Sequence, residues 1–272
     1  MRRKPPALLF VLPNLFTVSS IFCGFYAIVT SMDGSGPDRF YRAAVAILFA
    51  VVFDCADGRV ARMTKTQSDF GVQLDSLADV ISFGLAPSLL VYEWALRSLG
   101  PAGIAICFIY AACGALRLAR FNVMTQDQSE SPAYFTGLPI PVAAASIVSL
   151  VLAHYRIGGG NLGNQPVMAV VMLLLSLLMV SSIHYRTFKK LPQHRLTMAF
   201  VLFLAMLVVV AAWKTGFSLM LVSLCAAFIA LGLAEELVLQ VRRLGVHSYR
   251  GLEEEDDDDE EDEKDTIRDS QI

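Results

Sequence analysis

Long apolar runs alternate with short polar connections along most of this chain, which is 55% hydrophobic with a mean hydropathy of +0.55. A helix needs about 20 mainly apolar residues to cross the hydrocarbon core of a bilayer. Eight candidate helices approach that length. The first is at 7–30, the second runs from about residue 39 into the stretch that begins at residue 54, and the others are at 71–94, 101–121, 138–155, 166–185, 196–213 and 217–240. The pattern predicts an all-α integral membrane protein with about eight transmembrane helices.

Lysine and arginine residues are distributed unequally between the connections on the two sides. If the N-terminus is cytosolic, fifteen of them fall on cytosolic connections and five on the opposite side. Cytosolic loops of membrane proteins carry such an excess of positive charge. The bias predicts a multi-pass protein whose termini and residues 54–79 face the cytosol, and the cytoplasmic membrane is its simplest location.

The last twenty residues differ in composition from the rest of the chain. Residues 253–272 hold 13 acidic residues against Lys264 and Arg268, a net charge of −11, which leaves +8 on the remainder. A segment so charged and so poor in apolar residues cannot bury enough surface to fold alone. We therefore expect a transmembrane domain over residues 1–250 and a disordered acidic tail over residues 251–272.

Four aspartates interrupt the apolar pattern where the second predicted helix ends and the third begins. Asp54 and Asp57 are three residues apart, and Asp75 and Asp79 are four apart, so on helices each pair lies on one face. Helix caps and surface salt bridges do not account for Asp79, which lies about 12 Å along a helix from Gly71. A charge within the membrane costs several kcal/mol. A metal site accounts for all four carboxylates.

The ligand type indicates which metals such a site would bind. Carboxylate oxygens are hard ligands that suit Mg²⁺ or Mn²⁺ better than metals that prefer thiolates. Four carboxylates balance the formal charge of two divalent ions, and two ions about 3.5–4 Å apart can clamp a transferring phosphoryl group. The five cysteines include no C-x-x-C pair and are expected to be packing residues. The aspartates therefore predict a site for two Mg²⁺ or Mn²⁺ ions.

The spacing of the whole acidic stretch resembles a known signature. Eight fixed positions within 26 residues match that of the CDP-alcohol phosphotransferase family, and they read Asp54-x2-Asp57-Gly58-x2-Ala61-Arg62-x8-Gly71-x3-Asp75-x3-Asp79. The resemblance implies a metal-dependent phosphoalcohol transferase. It also implies a catalytic bundle of six helices, with the last two predicted helices as an addition, and a homodimer.

The family resemblance implies roles for individual residues as well. All four aspartates would hold metal, and Asp79 would also accept the proton of the attacking alcohol, whose high pKa makes a base necessary. A Pro13-Asn14-x2-Thr17 element near the chain start resembles one that opens many family members. The residues expected around the cytidine nucleotide are Asn14, Thr17, Gly58, Ala61, Arg62 and Gly71.

A later part of the sequence indicates which alcohol accepts the transferred phosphoryl group. Residues 114–122 and 135–141 resemble segments of the membrane-integral phosphatidylserine synthases of this family. Arg117 and Arg120 share a helix face, and guanidinium groups bind the carboxylate of serine or a lipid phosphate through paired hydrogen bonds. We expect Arg117, Arg120 and Asn122 to contact the acceptor or a lipid phosphate, with CDP-diacylglycerol and serine as substrates.

The expected reaction is a direct displacement. Cys55 and Ser76 lie within the signature, but neither has a histidine near it in sequence to activate it as a nucleophile. The serine hydroxyl would therefore attack the phosphorus on the lipid side of CDP-diacylglycerol, and CMP would leave.

Two other functions remain open at this point. A sister enzyme would use glycerol phosphate or inositol phosphate as the acceptor, and the two arginines would serve its phosphate equally well. A cation transporter or channel would place acidic residues on several helices across the membrane depth, whereas here they crowd at one side. We expect membrane lipids around the protein and no nucleic acid as a partner.

Overall fold

The computed structural model describes residues 7–34, 36, 38–64, 68–126, 134–157, 165–181, 184–186 and 218–232. The contacts within the chain divide it into the units Met1–Ile229 and Ala230–Ile272. The elements below belong to the first unit, apart from the last three residues of the final helix. The predicted helix at 196–213 and the predicted tail at 251–272 lie outside the described residues.

Two long helices come first and pack along each other. They are α1, Ala7–Met32, and α2, Arg39–Thr64. Fully buried alanines such as Ala27 and Ala43 allow close helix packing, because small side chains let backbones approach. The helix α2 continues without a break through Asp54 and Asp57, so this pair lies within a helix.

The third segment is one continuous helical rod made of several helix types. It begins with α3, Asp69–Asp79, and continues as a π-helix at Val80–Leu85, as α4 at Ala86–Val91, as a second π-helix at Tyr92–Leu96 and as a 3-10 turn at Arg97–Leu99. Ser68 caps its start, since its hydroxyl oxygen accepts a hydrogen bond from the Gly71 backbone N–H at 3.1 Å. Asp79 is the last residue before the first π-helical stretch.

The remaining elements complete the bundle. They are α5, Pro101–Gln126, α6, Ile140–Ile157, α7, Gln165–Val180, and α8, Ser218–Gly232. The strands β1, Tyr134–Thr136, and β2, His184–Arg186, pair antiparallel with Phe135 opposite Tyr185. The described chain is therefore helical as predicted, with one short pair of strands as the exception. The two strands lie before α6 and after α7, and they pair because extended backbone leaves N–H and C=O groups that need hydrogen-bond partners.

The C-terminal end of α7 is held by two other parts of the bundle. The backbone N–H of Leu138 donates to the Leu178 carbonyl at 3.0 Å. Arg120 of α5 donates to the carbonyls of Val180 at 3.0 Å and Ser181 at 3.2 Å. The last carbonyls of a helix lack partners within the helix, and positive charge is favourable there. Arg120 thus ties α5 to α7.

Within the described ranges, three stretches are long and apolar enough to cross a membrane, namely Asn14–Met32, Phe70–Leu99 and Pro101–Met124. Shorter apolar helices lie at Ile140–Arg156, Gln165–Val180 and Ser218–Gly232. Large apolar side chains such as Phe22 and Phe108 are exposed, as expected where lipid surrounds a helix. These features support a membrane protein, while the number of eight spans stays a prediction.

Gly137, just before α6, is a position where a side chain does not fit. Its φ is +80°, and an added Cβ would collide with the carbonyl oxygen of Met179. A left-handed backbone costs a residue with a Cβ about 1–2 kcal/mol, and we expect Gly137→Ala to lose more stability than that. Thermal unfolding in detergent would measure the loss.

Gly36 provides the matched control for this substitution. Its φ is +85°, yet nothing lies within 4 Å of an added Cβ. Gly36→Ala should therefore lose only the backbone contribution. Equal losses in the two variants would contradict a collision at Gly137.

Candidate active site

Side chains from four helices meet at one end of the bundle. Two helices contribute near their starts, namely α1 from residue 14 onward and α3. The other two, α2 and α5, contribute their last turns. Because α1 and α3 begin at this end while α2 and α5 finish there, the up-and-down connectivity of the chain brings the predicted site residues together.

The structure places all four predicted aspartates in one cluster. One carboxylate oxygen from each of Asp54, Asp57 and Asp75 lies within 4.8 Å of the other two. The side chain of Asp79 lies beside those of Asp54 and Asp75 and interacts electrostatically with both. The pair on α2 therefore faces the pair on α3.

This carboxylate cluster has the properties of a divalent cation site. Oxygens around one octahedral Mg²⁺ lie about 3 Å apart when adjacent and about 4.2 Å apart when opposite, given bonds of about 2.1 Å. Oxygens within 4.8 Å of one another reach that arrangement with small side-chain movements. Buried Oδ1 atoms of Asp75 and Asp79 have no hydrogen-bond partner among the described residues. Buried acceptors without donors call for an explanation, and a bound cation supplies one.

Thr17 of α1 orients one of the four carboxylates. Its Oγ1 donates a hydrogen bond to Asp57 Oδ2 at 2.8 Å, and the side chains are only 4% and 6% exposed. A partner that fixes one oxygen of a carboxylate also directs the other, as outer-shell residues do at metal sites. The structure thus gives Thr17 a contact with Asp57, and its predicted contact with the nucleotide stays a prediction.

Arg117 of α5 is a buried basic residue beside Asp79. It is 7% exposed and interacts electrostatically with Asp79. Its Nε has no hydrogen-bond partner in the described part of the chain. A buried guanidinium with a free donor is suited to binding an anion, because charge-assisted hydrogen bonds are strong there.

The other two residues predicted to contact the acceptor bind within the protein. Arg120 holds the end of α7, as described above. Asn122 donates from Nδ2 to Ser76 Oγ at 2.9 Å, which links α5 to α3 beside Asp75. Both residues therefore position helices of the site, and their contacts with an acceptor stay predictions.

The residues predicted at the nucleotide border the same cluster. A Cβ added at Gly71 would lie 3.7 Å from Asn14 Oδ1, so α1 and α3 approach each other closely there. Gly58 and Ala61 are half-buried on the last turns of α2. The side chain of Arg62 lies outside what the structure describes. The glycine at 71 allows α1 and α3 to approach this closely, since a Cβ there would also lie 3.2 Å from Ser68 Oγ.

Sequence reasoning missed three buried polar residues one turn deeper in the bundle. Ser20 and Ser82 bond to each other across helices, and Tyr110 donates to the Phe83 carbonyl at 3.2 Å. The available signal was the spacing Thr17-x2-Ser20-x3-Gly24, which repeats small or polar residues on one face of an apolar helix. Such a face indicates close helix packing within a membrane.

Comparison with known families agrees with the geometry. Residues 10–180, which include all but the first three residues of α1 and extend to the end of α7, match the CDP-alcohol phosphatidyltransferase family. The chain belongs to this family. The predicted resemblance is confirmed, and the carboxylate cluster lies within the part that matches the CDP-alcohol phosphatidyltransferases.

Individual proteins are similar to this chain over most of their length. The CDP-diacylglycerol–serine O-phosphatidyltransferase of Helicobacter pylori is 42% identical over 184 residues, 67% of this chain and 74% of that protein. The archaetidylserine synthase of Methanothermobacter thermautotrophicus is 40% identical over 64% of this chain and 69% of that protein. The CDP-diacylglycerol–serine O-phosphatidyltransferase of Bacillus subtilis is 37% identical over 66% of this chain and 92% of that protein.

Proposed function

We propose that this chain transfers the phosphatidyl group of CDP-diacylglycerol to L-serine, which gives phosphatidylserine and CMP. The observation that carries the proposal is the buried Arg117 beside a cluster of four aspartates. The cluster suits a phosphoryl transfer, and the guanidinium suits an acceptor with a carboxylate. The names of the relatives, which act with serine or make archaetidylserine, support the same acceptor.

The four aspartates are proposed to hold two divalent ions, Mg²⁺ or Mn²⁺. The family and the carboxylate cluster support a metal site. When bound, the ions would supply Lewis acidity and balance the negative charge of the pyrophosphate. The protein's own contribution is to hold the carboxylates of Asp54, Asp57, Asp75 and Asp79 close together from two rigid helices.

Asp79 is proposed to be the general base. It is 9% exposed, and its Oδ1 has no hydrogen-bond partner among the described residues. A carboxylate has two oxygens, so one can accept a proton while the other contributes to the cluster. The serine hydroxyl gives its proton to Asp79 as its oxygen bonds to phosphorus. The bond from phosphorus to the CMP oxygen then breaks, and CMP leaves with that electron pair.

Arg117 is proposed to bind the carboxylate of serine. Its interaction with Asp79 places the guanidinium beside the base, so an acceptor held by its carboxylate has its hydroxyl close to Asp79. The fork of a guanidinium matches a planar carboxylate through two parallel hydrogen bonds. A sister enzyme with glycerol phosphate or inositol phosphate as acceptor is the second candidate, because the same group binds phosphate.

The excess of lysine and arginine on one side of the predicted helices supports an orientation for the site. We propose that the site faces the cytosol from the cytoplasmic membrane, where soluble serine and CMP exchange while the lipid enters from the side. A homodimer is proposed from the family resemblance. Disorder of the acidic tail at 251–272 is proposed from its composition alone. Membership of a transferase family argues against the cation transporter or channel.

A parallel acceptor assay tests the proposal. Purified protein would receive CDP-diacylglycerol, Mg²⁺ or Mn²⁺, and labelled serine, glycerol phosphate or inositol phosphate in separate reactions. We expect label from serine in the lipid, one CMP for each serine incorporated, and loss of both when a chelator removes the metal. CMP release that requires a phosphate-bearing acceptor, without serine incorporation, would identify the sister enzyme instead.

A further inference from the structure

One face of α1 contacts both helices that carry the aspartates. Thr17, Ser20 and Gly24 follow at intervals of three and four residues, so they lie on the same side of the helix. Thr17 bonds to Asp57 of α2, and a Cβ at Gly24 would lie 2.8 Å from the Cα of Ser82. This one face of α1 therefore contacts α2, which holds Asp54 and Asp57, and the helical rod that holds Asp75 and Asp79.

A buried hydrogen-bond network joins the three helices one turn below the carboxylates. Ser82 Oγ donates to the Ser20 carbonyl at 2.9 Å, and Ser20 Oγ donates to the Ala50 carbonyl at 3.3 Å. Ser82 is 0% and Ser20 2% exposed. Ala50 precedes Asp54 by four residues, and Ser82 follows Asp79 by three. The network thus lies at the same depth on each helix, next to its aspartates.

The bond from Ser82 to α1 is not the usual one for a serine in this bundle. Ser88, Ser146 and Ser176 each donate to a carbonyl three or four residues earlier in their own helix, as serine commonly does. Ser82 instead bonds across to α1. Its hydroxyl therefore links two helices, and no equivalent link is made by the other three.

Ser82, the member of this network that follows Asp79, lies within the first π-helical stretch. The Ala86 backbone N–H donates to the Ile81 carbonyl, five residues earlier, and Tyr110 donates to the Phe83 carbonyl at 3.2 Å. A π-turn changes the rotation of the helix before it relative to the helix after it, and such turns are frequent at functional sites. The direction in which α3 presents Asp75 and Asp79 thus depends on how this stretch is held.

We propose that Ser20 and Ser82, with Gly24 against them, are positioning residues that set the spacing between the aspartate pairs of α2 and α3. The inference rests on the proposed metal-dependent function and adds to it the residues that bring the two halves of the metal site into register. Ser82 fixes the π-helical stretch to α1, and Ser20 fixes α1 to α2. Neither residue touches the substrate.

The test uses the full chain in detergent with two variants and two matched controls. Ser82→Ala removes the hydroxyl that links the helices, and Ser176→Ala removes an equally buried one that bonds within α7. Gly24→Ala forces a Cβ against Ser82, while a Cβ at Gly84, in the same π-helical stretch, would meet nothing closer than 3.8 Å. Mn²⁺ titrations of the substrate-free protein, followed by electron paramagnetic resonance, report the site before any reaction occurs.

We expect Ser82→Ala and Gly24→Ala to raise the half-saturating Mn²⁺ concentration about tenfold, as loss of outer-shell partners does at other metal sites. The kcat for CMP release with serine should fall by about the same factor, with little change in KM for CDP-diacylglycerol. Ser176→Ala and Gly84→Ala should leave Mn²⁺ binding and kcat at the values of the unaltered chain.

Two results would overturn the inference. One is unchanged Mn²⁺ binding in Ser82→Ala and Gly24→Ala, and the other is an equal loss in the controls, which would show that any buried change weakens the site. An unaltered chain that binds Mn²⁺ but does not incorporate serine would contradict the proposed function alone. In that case the Mn²⁺ titrations would still decide whether Ser82 positions the aspartates.

Discussion

Asp79→Asn is expected to lower kcat about 10³-fold, within the range that general acid–base catalysis contributes. The amide keeps the size of the carboxylate but accepts no proton at neutral pH. Asp54, Asp57 and Asp75 still provide three oxygens within 4.8 Å of one another, so the nucleotide should still bind with metal. Single-turnover CMP release would measure the chemical step, and calorimetric titration with CMP would measure binding.

Glu93→Gln is the matched control for the removal of an acidic group. Glu93 lies on the same helical rod, about 21 Å beyond Asp79, and its carboxylate accepts from Arg97 at 2.8 Å. We expect the Glu93→Gln variant to release CMP at the rate of the unaltered chain. Near-normal turnover in Asp79→Asn would remove Asp79 as the base, and loss of CMP binding in that variant would assign it to the metal alone.

Arg117→Lys is expected to lower kcat/KM for serine roughly 10–100-fold, since a hydrogen bond to a charged group contributes about 1.5–3 kcal/mol. Lysine keeps a positive charge beside Asp79 but lacks the planar fork that binds a carboxylate at two points. The loss should appear in KM for serine, and KM for CDP-diacylglycerol should change little. Initial rates with each substrate varied in turn would separate the two constants.

Arg97→Lys serves as the control for this exchange, because Arg97 is exposed and pairs with Glu93 far from the aspartates. It should leave both KM values unchanged. A rise in KM for CDP-diacylglycerol in Arg117→Lys, with KM for serine unaltered, would mean that Arg117 binds the lipid phosphate. Residues other than Arg117 would then have to bind the carboxylate of serine.

The aspartate cluster could be predicted from the sequence because its cause is local. Spacings of three and four residues put Asp54 with Asp57 and Asp75 with Asp79 on single helix faces, whatever surrounds them. A connection of only a few residues between α2 and α3 then makes these helices neighbours. Asp79 lies about 12 Å along a helix from Gly71, too deep for a helix cap or a surface salt bridge, and this leaves few alternatives to a metal site.

The partners of the arginines could not be predicted in the same way. Their spacing puts Arg117 and Arg120 on one face, but Arg120 bonds to a carbonyl sixty residues later in the chain. Which of two equivalent arginines points at the aspartates depends on where α7 ends, and no pattern within α5 contains that information. The same holds for Asn122, whose partner Ser76 lies 46 residues away.

The π-helical stretches were also beyond sequence reasoning. The predicted helix from 71 to 94 was regular, whereas the structure changes helix type at Val80 and again at Tyr92. Hydrophobic periodicity distinguishes a helix from a strand. In a segment that is apolar on every face, one extra residue in a helical turn leaves no visible change in the spacing of apolar and polar positions. The buried contacts of Ser82 and Tyr110 accompany the first change.

The order in which the site residues occur along the chain has a consequence for how such enzymes diverge. Every carboxylate of the cluster comes from the consecutive helices α2 and α3, and Arg117 comes later, from α5. If Arg117 binds the acceptor as proposed, substitutions in α5 can alter the acceptor while residues 54–79 stay the same. A new phospholipid headgroup could arise by mutation in one half of the domain, with the phosphoryl chemistry inherited intact from the other.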